Sequence, residues 1–423
     1  MATSILETAA QSELLRFTTA GSVDDGKSTL IGRLLYDSKS IFEDTISAME
    51  RTSKKRGADG IDLSLLTDGL IAEREQGITI DVAYRYFATP KRKFIIADTP
   101  GHEQYTRNMV TGASTADLAI VLVDAKKGVS IQSRRHALLA HLLSIPHVVV
   151  AINKMDLVNY SKSAFEEIRG EFSAFCARLG VKDVRFVPLS ALRGDMVVER
   201  GGKLGWYNGP TLLDLLETVT VARDRIGPFR FPVQLIGRPH ALELQHLRGY
   251  MGRIESGSVA VGDPITVLPS GLTTSVKEIV TYDGALEVAH APQSVMLLLE
   301  DEIDISRGDM IVHSHHQPHV DKVVKAQLCW MDAEPLSLSR KYLVKHTTRT
   351  AKAMITAVEH KIDVNSLAPV DANGVLNLND IGAVTLKLHQ PLAFDAYRDN
   401  RVTGSFIVID ETTNQTVAAG MIQ

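Results

Sequence analysis

The sequence has 423 residues, of which 44% are hydrophobic and 23% charged, and its net charge is −4. This length predicts a folded chain of several domains. The net negative charge disfavours a nucleic-acid partner. Cys176 and Cys329 are the only cysteines and lie far apart, so we expect a reduced, cytoplasmic protein without disulfide bonds. No apolar run reaches the ~20 residues of a membrane-spanning helix, which predicts that the protein does not cross a membrane.

Short apolar runs alternate with amphipathic segments in the first half of the chain. The runs are rich in Val, Ile and Phe, which is typical of strands covered on both faces in a mostly parallel sheet. They comprise residues 15–20, 93–97, 118–124, 147–152 and 184–189. Residues 28–35, 105–113 and 134–143 carry apolar side chains at helical spacing. The pattern predicts an α/β domain, with a mostly parallel sheet flanked by helices, over residues 1–225.

The pattern changes after Gly227 and Pro228, where short β-rich pieces alternate with Gly, Pro and Asp turns. Regularly spaced short strands of this kind are typical of small antiparallel β-barrels. A second such block begins near Val320 and continues to Gln423. We therefore predict two small barrels after the α/β domain, over residues 226–319 and 320–423.

A phosphate-binding motif follows the first predicted strand and opens the first predicted helix. It consists of Gly21, Ser22, Val23, Asp24, Asp25, Gly26, Lys27 and Ser28, a complete match to G-x-x-x-x-G-K-[ST]. The glycines let the backbone wrap around phosphates, and its N–H groups point inward at a helix N-terminus. Lys27 is expected to reach the β- and γ-phosphates, and the Ser28 hydroxyl to ligate Mg²⁺. The alternative, a glycine-rich turn without a ligand, is disfavoured by the strand-to-helix context.

Two further segments suit the metal ion and the γ-phosphate. The segment Asp98-Thr99-Pro100-Gly101-His102 ends a buried strand, where a carboxylate can hold Mg²⁺ and the Gly101 N–H can face the γ-phosphate. Thr79 lies between this segment and the P-loop, and its hydroxyl and N–H can join Mg²⁺ and the γ-phosphate in the triphosphate state. By chemistry alone, a Thr in a strand-like segment is more often structural.

Two remaining motifs are suited to binding the base of the nucleotide. Asn153, Lys154, Met155 and Asp156 form an N-K-x-D motif after a predicted strand. The Asp156 carboxylate can accept hydrogen bonds from guanine N1–H and N2–H₂, which adenine lacks, and Asn153 can contact the base edge. Ser190, Ala191 and Leu192 follow the last strand of the domain and can present backbone N–H groups to guanine O6. These residues predict that the ligand is GTP rather than ATP.

In this order, the five segments resemble those of translation-factor-type GTPases of the elongation factor Tu superfamily. The resemblance spans nearly the whole chain, because that superfamily has a G domain followed by two β-barrels. It implies GTP and Mg²⁺ as cofactors, with Ser28, Thr79 and Asp98 around the metal ion. It also implies catalytic roles for Lys27, for Thr79 in switch I, and for His102, which would position the attacking water.

One branch of that superfamily is especially similar, the large GTPase subunit of the heteromeric sulfate adenylyltransferase of sulfate assimilation. Residues 21–35, 72–87 and 94–109 carry this resemblance, and Ser22 and Asp25 replace two histidines of translation-factor P-loops. The resemblance implies a small catalytic partner subunit that joins ATP and sulfate into adenylyl sulfate and pyrophosphate, driven by GTP hydrolysis on this chain. The alternative is an elongation-factor-type GTPase that delivers aminoacyl-tRNA, which the acidic charge and both replacements disfavour.

Overall fold

The computed structural model of the chain describes residues 13–41, 43–55, 61–66, 81–102, 106–221, 227–237 and 248–423. The predicted switch residue Thr79 lies outside these ranges. The chain forms two compact units, Met1–Val221 with Asp363–Ala368, and Ala222–Ile362 with Pro369–Gln423. The domain boundaries after residues 225 and 319 stay predictions.

A six-stranded sheet forms the centre of the first unit. Its strands are β1 (Glu13–Ala20), β2 (Ala83–Ala88), β3 (Arg92–Asp98), β4 (Leu118–Asp124), β5 (His147–Asn153) and β6 (Val184–Pro188). The order is β2-β3-β1-β4-β5-β6, and every neighbouring pair is parallel except β2 and β3. All residues of β4 are buried, as expected for an apolar strand covered on both faces. The predicted mostly parallel sheet is confirmed, with an antiparallel edge strand that the apolar runs did not reveal.

Helices connect these strands and begin at residues suited to their ends. They are α1 (Lys27–Asp37), α2 (Glu43–Lys55), α3 (Thr106–Ala113), α4 (Ile131–Leu142), α5 (Lys162–Leu179) and α6 (Leu212–Thr218). Short 3₁₀ turns occupy Leu63–Leu66 and Met155–Val158. Ser130 and Ser161 cap α4 and α5, because each hydroxyl accepts a hydrogen bond from a backbone N–H of the first turn. Gly180 ends α5 in the left-handed conformation, with φ 78°.

The second unit contains two antiparallel sheets, each closed on itself. The strands of the first are β7 (Arg230–Gly237), β8 (Gly249–Arg253), β10 (Pro264–Leu268), β11 (Leu272–Thr281), β12 (Gly284–Leu286), β14 (Ser294–Leu299) and β15 (Met310–His313), beside a small pair of β9 (Ser258–Ala260) and β13 (Val288–His290). Those of the second are β16 (His319–Trp330), β17 (Tyr342–His346), β18 (Arg349–Ile362), β19 (Pro369–Val370), β20 (Ile381–Phe394), β21 (Ser405–Asp410) and β22 (Thr416–Ile422). The pairings of β10 with β11 and of β17 with β18 close the two barrels, which confirms the predicted fold class.

Apolar side chains fill each barrel separately. Phe229, Phe231 and Tyr250 belong to the core of the first barrel, and Trp330 and Tyr342 belong to that of the second. Alternating exposed and buried residues along β18 follow the period of two that a sheet with one solvated face requires. Each barrel therefore stabilises itself by burying one face of its strands.

Ion pairs join the two barrels inside the second unit. The Arg230 guanidinium lies 2.9 Å from an Asp395 carboxylate oxygen, and its side chain is 3% exposed. Arg349 pairs with Asp309 at 2.7 Å in the same way. Beside Asp395, the buried His346 imidazole Nε2 lies 2.7 Å from the carbonyl oxygen of Thr403. Among the described residues, no helix is both long and apolar enough to cross a membrane.

Candidate nucleotide-binding site

The predicted motifs meet at one edge of the first unit's sheet. The P-loop directly follows β1, Asp98 is the last residue of β3, Asn153 is the last residue of β5, and Ser190 follows β6 closely. Because these strands are parallel, their carboxyl ends lie at the same edge, which is where α/β sheets bind ligands. The sheet therefore brings together motifs that are far apart in the sequence.

The P-loop folds around the ammonium group of Lys27. The Lys27 Nζ donates hydrogen bonds to the carbonyl oxygens of Gly21 at 2.8 Å and Ser22 at 3.0 Å. Gly26 has a φ of 93°, a left-handed conformation that favours glycine, and α1 begins at the next residue. Burial lowers the pKa of Lys27, and the nearby carboxylate of Asp98 opposes this effect. The loop thus holds a buried cation at a helix N-terminus, an arrangement suited to phosphate oxygens.

The two residues that replace P-loop histidines contact each other, and Ser22 also contacts the residue that caps helix α4. Asp25 is buried, and its Oδ2 accepts a hydrogen bond of 2.7 Å from the Ser22 backbone N–H. Burial raises the pKa of Asp25, although the Ser22 N–H opposes the shift. The Ser22 hydroxyl lies 3.1 Å from the hydroxyl of Ser130, the residue that caps α4. These contacts fix the loop from inside and from the adjacent helix.

The segment after β3 lies against the P-loop. Asp98 is fully buried, and the Thr19 hydroxyl lies 3.4 Å from its Oδ1. A Cβ atom at Gly101 would collide with Lys27 Nζ and with the Gly21 carbonyl oxygen, so only glycine lets this backbone approach so closely. His102 follows directly and is half-buried. Its position beside the P-loop is compatible with the predicted role near the γ-phosphate.

Helix α4 supports this segment through a residue that the motifs did not indicate. The Gln132 Nε2 donates to the Gly101 carbonyl oxygen at 3.3 Å and lies 3.1 Å from the His136 Nε2. Burial, reinforced by the positive charge of Lys27, lowers the pKa of His136 to about 3. The imidazole is therefore neutral at physiological pH and adds no charge to the phosphate site.

Asn153 connects the P-loop to the loop after β6. Its Nδ2 donates to the Asp25 carbonyl oxygen at 2.8 Å, and its Oδ1 accepts from the Ala191 N–H at 2.9 Å. The side chain is buried at the end of β5. Both ends of the Asn153 amide thus bind backbone, so this residue joins the P-loop to the loop after β6, and its predicted contact with the base edge stays a prediction.

The rest of the N-K-x-D motif is held by charged and polar partners. Lys154 has a φ of 60°, and its Nζ lies 2.9 Å from an Asp124 carboxylate oxygen at the end of β4. Burial raises the pKa of Asp124, but Lys154 and two backbone N–H groups outweigh it, so the pKa lies below its usual value. The Ser190 hydroxyl donates to Asp156 Oδ1 at 2.7 Å, while Met155 is buried beneath. Asp156 is thereby held as a hydrogen-bond acceptor beside the loop after β6.

The predicted metal ligands at the phosphate end are oxygen donors. Ser28 lies in the first turn of α1, and Asp98 lies at the tip of β3. Hydroxyl and carboxylate oxygens suit Mg²⁺, which usually takes one or two protein carboxylates and completes its shell with phosphates and water. Within the described ranges, no three His, Cys, Asp or Glu side chains group as a metal site. The two oxygen donors fit a nucleotide-bound Mg²⁺ rather than a cage built by the protein alone.

Sequence and structure comparisons agree with this geometry. The family described as the elongation factor Tu GTP binding domain matches residues 12–222, and the GTP-eEF1A C-terminal domain-like family matches residues 323–423. The fold is similar to that of the S. cerevisiae Ski7 GTPase-like domain, which was solved bound to GDP and inorganic phosphate. The match covers 100% of this chain and 99% of that domain, with a TM-score of 0.53 and 17% sequence identity. The fold and the family match define a GTP-binding GTPase of the elongation factor Tu type.

More similar relatives specify the branch. Sulfate adenylyltransferase subunit 1 of Alteromonas mediterranea is 54% identical over 99% of this chain and 88% of its own length. The bifunctional enzyme CysN/CysC of Mycobacterium tuberculosis is 57% identical over 97% of this chain and 67% of its own. The chain belongs to the sulfate adenylyltransferase subunit 1 family. It is an enzyme subunit, and the word "subunit" in the relative's name indicates a partner.

Proposed function

We propose that this chain is the GTPase subunit of a sulfate adenylyltransferase, also called ATP sulfurylase, which acts in sulfate assimilation. GTP hydrolysis on this chain is coupled to synthesis of adenylyl sulfate and pyrophosphate from ATP and sulfate by a small catalytic partner subunit. The observation that carries the proposal is the 54% identity to a subunit 1 over 99% of the chain, barrels included. Cys176 and Cys329 are free thiols and form no disulfide, which suits a cytoplasmic protein.

The reaction explains why a GTPase is needed. Adenylyl sulfate contains a phosphosulfate anhydride, whose formation from ATP and sulfate is strongly unfavourable. Hydrolysis of a second nucleoside triphosphate can drive such a step only when the two reactions are coupled through the protein. The partner subunit therefore supplies the adenylyl transfer, and this chain supplies the driving reaction.

Within the nucleotide site, each residue has a proposed task. The P-loop N–H groups and the buried Lys27 ammonium bind the β- and γ-phosphates, and the Gly101 N–H faces the γ-phosphate. Ser28 and Asp98 hold Mg²⁺, with Thr79 as a further ligand in the triphosphate state. When bound, Mg²⁺ neutralises charge on the β- and γ-phosphate oxygens. His102 orients the attacking water, and Asp156 accepts hydrogen bonds from guanine.

The test uses the complex of this chain with the small subunit. Adenylyl sulfate formation is measured with GTP, with a non-hydrolysable GTP analogue, and without nucleotide. We expect GTP alone to raise the yield, because only hydrolysis supplies free energy. Lys27→Ala should abolish the stimulation, whereas Lys91→Ala, which removes an exposed lysine paired with Glu217, should leave it intact. Equal yields with GTP, the analogue and no nucleotide would refute the coupling.

A further inference from the structure

An arginine on helix α1 reaches the loop that is predicted to bind the base. The Arg33 Nε donates to the Ala191 carbonyl oxygen at 3.1 Å, and its Nη2 donates to the Leu192 carbonyl oxygen at 2.7 Å. The third guanidinium nitrogen, Nη1, lies 3.4 Å from Asp37 Oδ1, one helical turn further along α1. The Arg33 side chain is 18% exposed. One half-buried guanidinium group therefore binds two successive carbonyl groups.

The fixed carbonyl groups determine where the backbone N–H groups of this loop point. The Ala191 carbonyl and the Leu192 N–H belong to one trans peptide, in which C=O and N–H point in opposite directions. Because Arg33 holds the carbonyl toward α1, the Leu192 N–H faces away from α1. A hydrogen bond from a charged donor is strong, and it polarises the peptide so that its N–H becomes a better donor.

The other N–H groups of the loop are already used. The Ser190 N–H donates to the Asp195 carbonyl oxygen at 3.1 Å, and the Ala191 N–H donates to Asn153 Oδ1 at 2.9 Å. Among the described residues, the Leu192 N–H has no hydrogen-bond partner. It is therefore the N–H of the Ser190-Ala191-Leu192 segment that remains available to a ligand.

We propose that Arg33 is a positioning residue for base selection, which holds the Ala191–Leu192 peptide so that the Leu192 N–H donates to guanine O6. Arg33 itself touches no part of the nucleotide. The proposal rests on the proposed GTP-binding function and adds a specificity element outside the P-loop and N-K-x-D motifs. Helix α1 would link the phosphate end and the base end of the nucleotide site, since it carries both the phosphate-binding Lys27 and the loop-binding Arg33.

The test changes one functional group of the base at a time. In 6-thio-GTP a sulfur replaces O6, and sulfur is a weak acceptor, whereas inosine triphosphate keeps O6 and lacks the N2 amine. A single hydrogen bond of this kind corresponds to a preference for GTP over 6-thio-GTP of roughly 3–10-fold. In Arg33→Ala that preference should fall to about twofold or less, while the preference for GTP over inosine triphosphate persists. Arg33→Lys keeps the charge but not the paired donors. Its preference for GTP over 6-thio-GTP should lie between those of the wild type and Arg33→Ala.

A matched control separates positioning from general stability. Arg92 also binds two carbonyl groups, those of Leu216 at 3.0 Å and Val219 at 2.6 Å, but it lies at the opposite edge of the sheet, at the start of β3. Arg92→Ala should leave both base preferences at the wild-type values. If Arg33→Ala weakens all three nucleotides equally, Arg33 is merely structural and the proposal is wrong. If Arg33→Ala does not fold, an unchanged 6-thio-GTP preference in Arg33→Lys overturns the proposal equally.

Failure of the underlying function gives a different result. A wild-type chain without measurable affinity for GTP would overturn the GTP-binding function itself. Wild-type binding that is tight but equal for GTP and 6-thio-GTP would leave GTP binding in place and refute the O6 contact.

Discussion

At the scale of single residues, we expect Asp156 to select the nucleotide base. Its Oδ1 accepts a hydrogen bond from Ser190, and the carboxylate can accept further hydrogen bonds from guanine N1–H and N2–H₂. Asp156→Asn presents an amide N–H to these donors, so GTP affinity should fall by roughly 100-fold. Xanthosine triphosphate, whose C2 carbonyl accepts from the amide, should bind better to the variant than to the wild type. Titration of both nucleotides against both proteins measures this exchange, and unchanged GTP affinity in the variant would contradict the assignment.

His102 should affect hydrolysis and not binding. It follows Gly101, whose backbone lies against Lys27, so its ring can reach a water beside the γ-phosphate without touching the base. Orientation of one water contributes on the order of 10²–10⁴-fold to such a reaction, and His102→Ala should slow hydrolysis by that factor at nearly unchanged GTP affinity.

The control for this prediction is His147→Ala, at the start of β5 on the opposite edge of the sheet, which should keep wild-type turnover. GTP affinity, hydrolysis and adenylyl sulfate yield are measured on one preparation of each complex. Normal hydrolysis in His102→Ala would remove this residue from the mechanism. Slow hydrolysis with an intact GTP-stimulated yield would show that GTP hydrolysis is not coupled to adenylyl sulfate synthesis.

At the scale of elements, the N-terminus of α4 has two tasks. The Ser130 hydroxyl caps the helix and contacts the P-loop hydroxyl of Ser22 at 3.1 Å. Ser161 caps α5 in a similar way, through the Ala164 N–H, and within the described part of the chain its hydroxyl makes no hydrogen bond to the P-loop. Ser130→Ala and Ser161→Ala should each lower the free energy of unfolding by ~1 kcal/mol.

Only Ser130→Ala is expected to weaken nucleotide binding as well, because only that change removes a P-loop contact. Thermal unfolding and GTP titration of the two variants provide the comparison. Equal nucleotide affinity in both variants would show that the Ser22–Ser130 contact does not support the P-loop.

At the scale of the whole molecule, we expect the buried His346 to make the free energy of unfolding depend on pH. Burial lowers the pKa of His346 to about 4, whereas an exposed histidine in the unfolded chain titrates near ~6.5. Between these values the unfolded state binds one proton more than the folded state, so the free energy of unfolding decreases as the pH falls. The loss should approach ~3 kcal/mol at pH 4.

A variant can isolate this effect in the barrels. His346→Gln keeps an N–H donor for the Thr403 carbonyl oxygen but cannot titrate, so its stability should depend less on pH between 6.5 and 4. His389→Gln removes an exposed histidine of β20 and serves as the control. In a Trp206→Phe background, Trp330 is the only tryptophan, and its fluorescence reports unfolding of the barrel core. Identical pH profiles of His346→Gln and its background would refute the assignment.

The sequence alone determined the fold class and most of the nucleotide motifs. Buried parallel strands are continuous apolar runs, and phosphate binding requires glycines and a lysine at fixed spacing, so both leave local patterns. The sequence patterns did not predict strand β2, because its exposed edge position places Tyr84 and Tyr86 in solvent and leaves no apolar run. Helix α5 was not predicted either, although its buried residues recur at helical spacing, namely Phe165, Ile168, Phe172, Phe175 and Cys176.

Only the tertiary structure decided how the motifs cooperate. Asn153 joins the P-loop to Ala191, Gln132 supports Gly101, and Arg33 orients the Leu192 peptide, although each pair lies far apart in the sequence. Local patterns cannot reveal such contacts, because a hydrogen bond between a side chain and a distant backbone carbonyl requires no particular residue at the accepting position. The sequence by itself determined that this protein binds GTP. The packing of parallel strands determined which side chains hold the loop after β6 in place, because it brings the carboxyl ends of the strands to one edge.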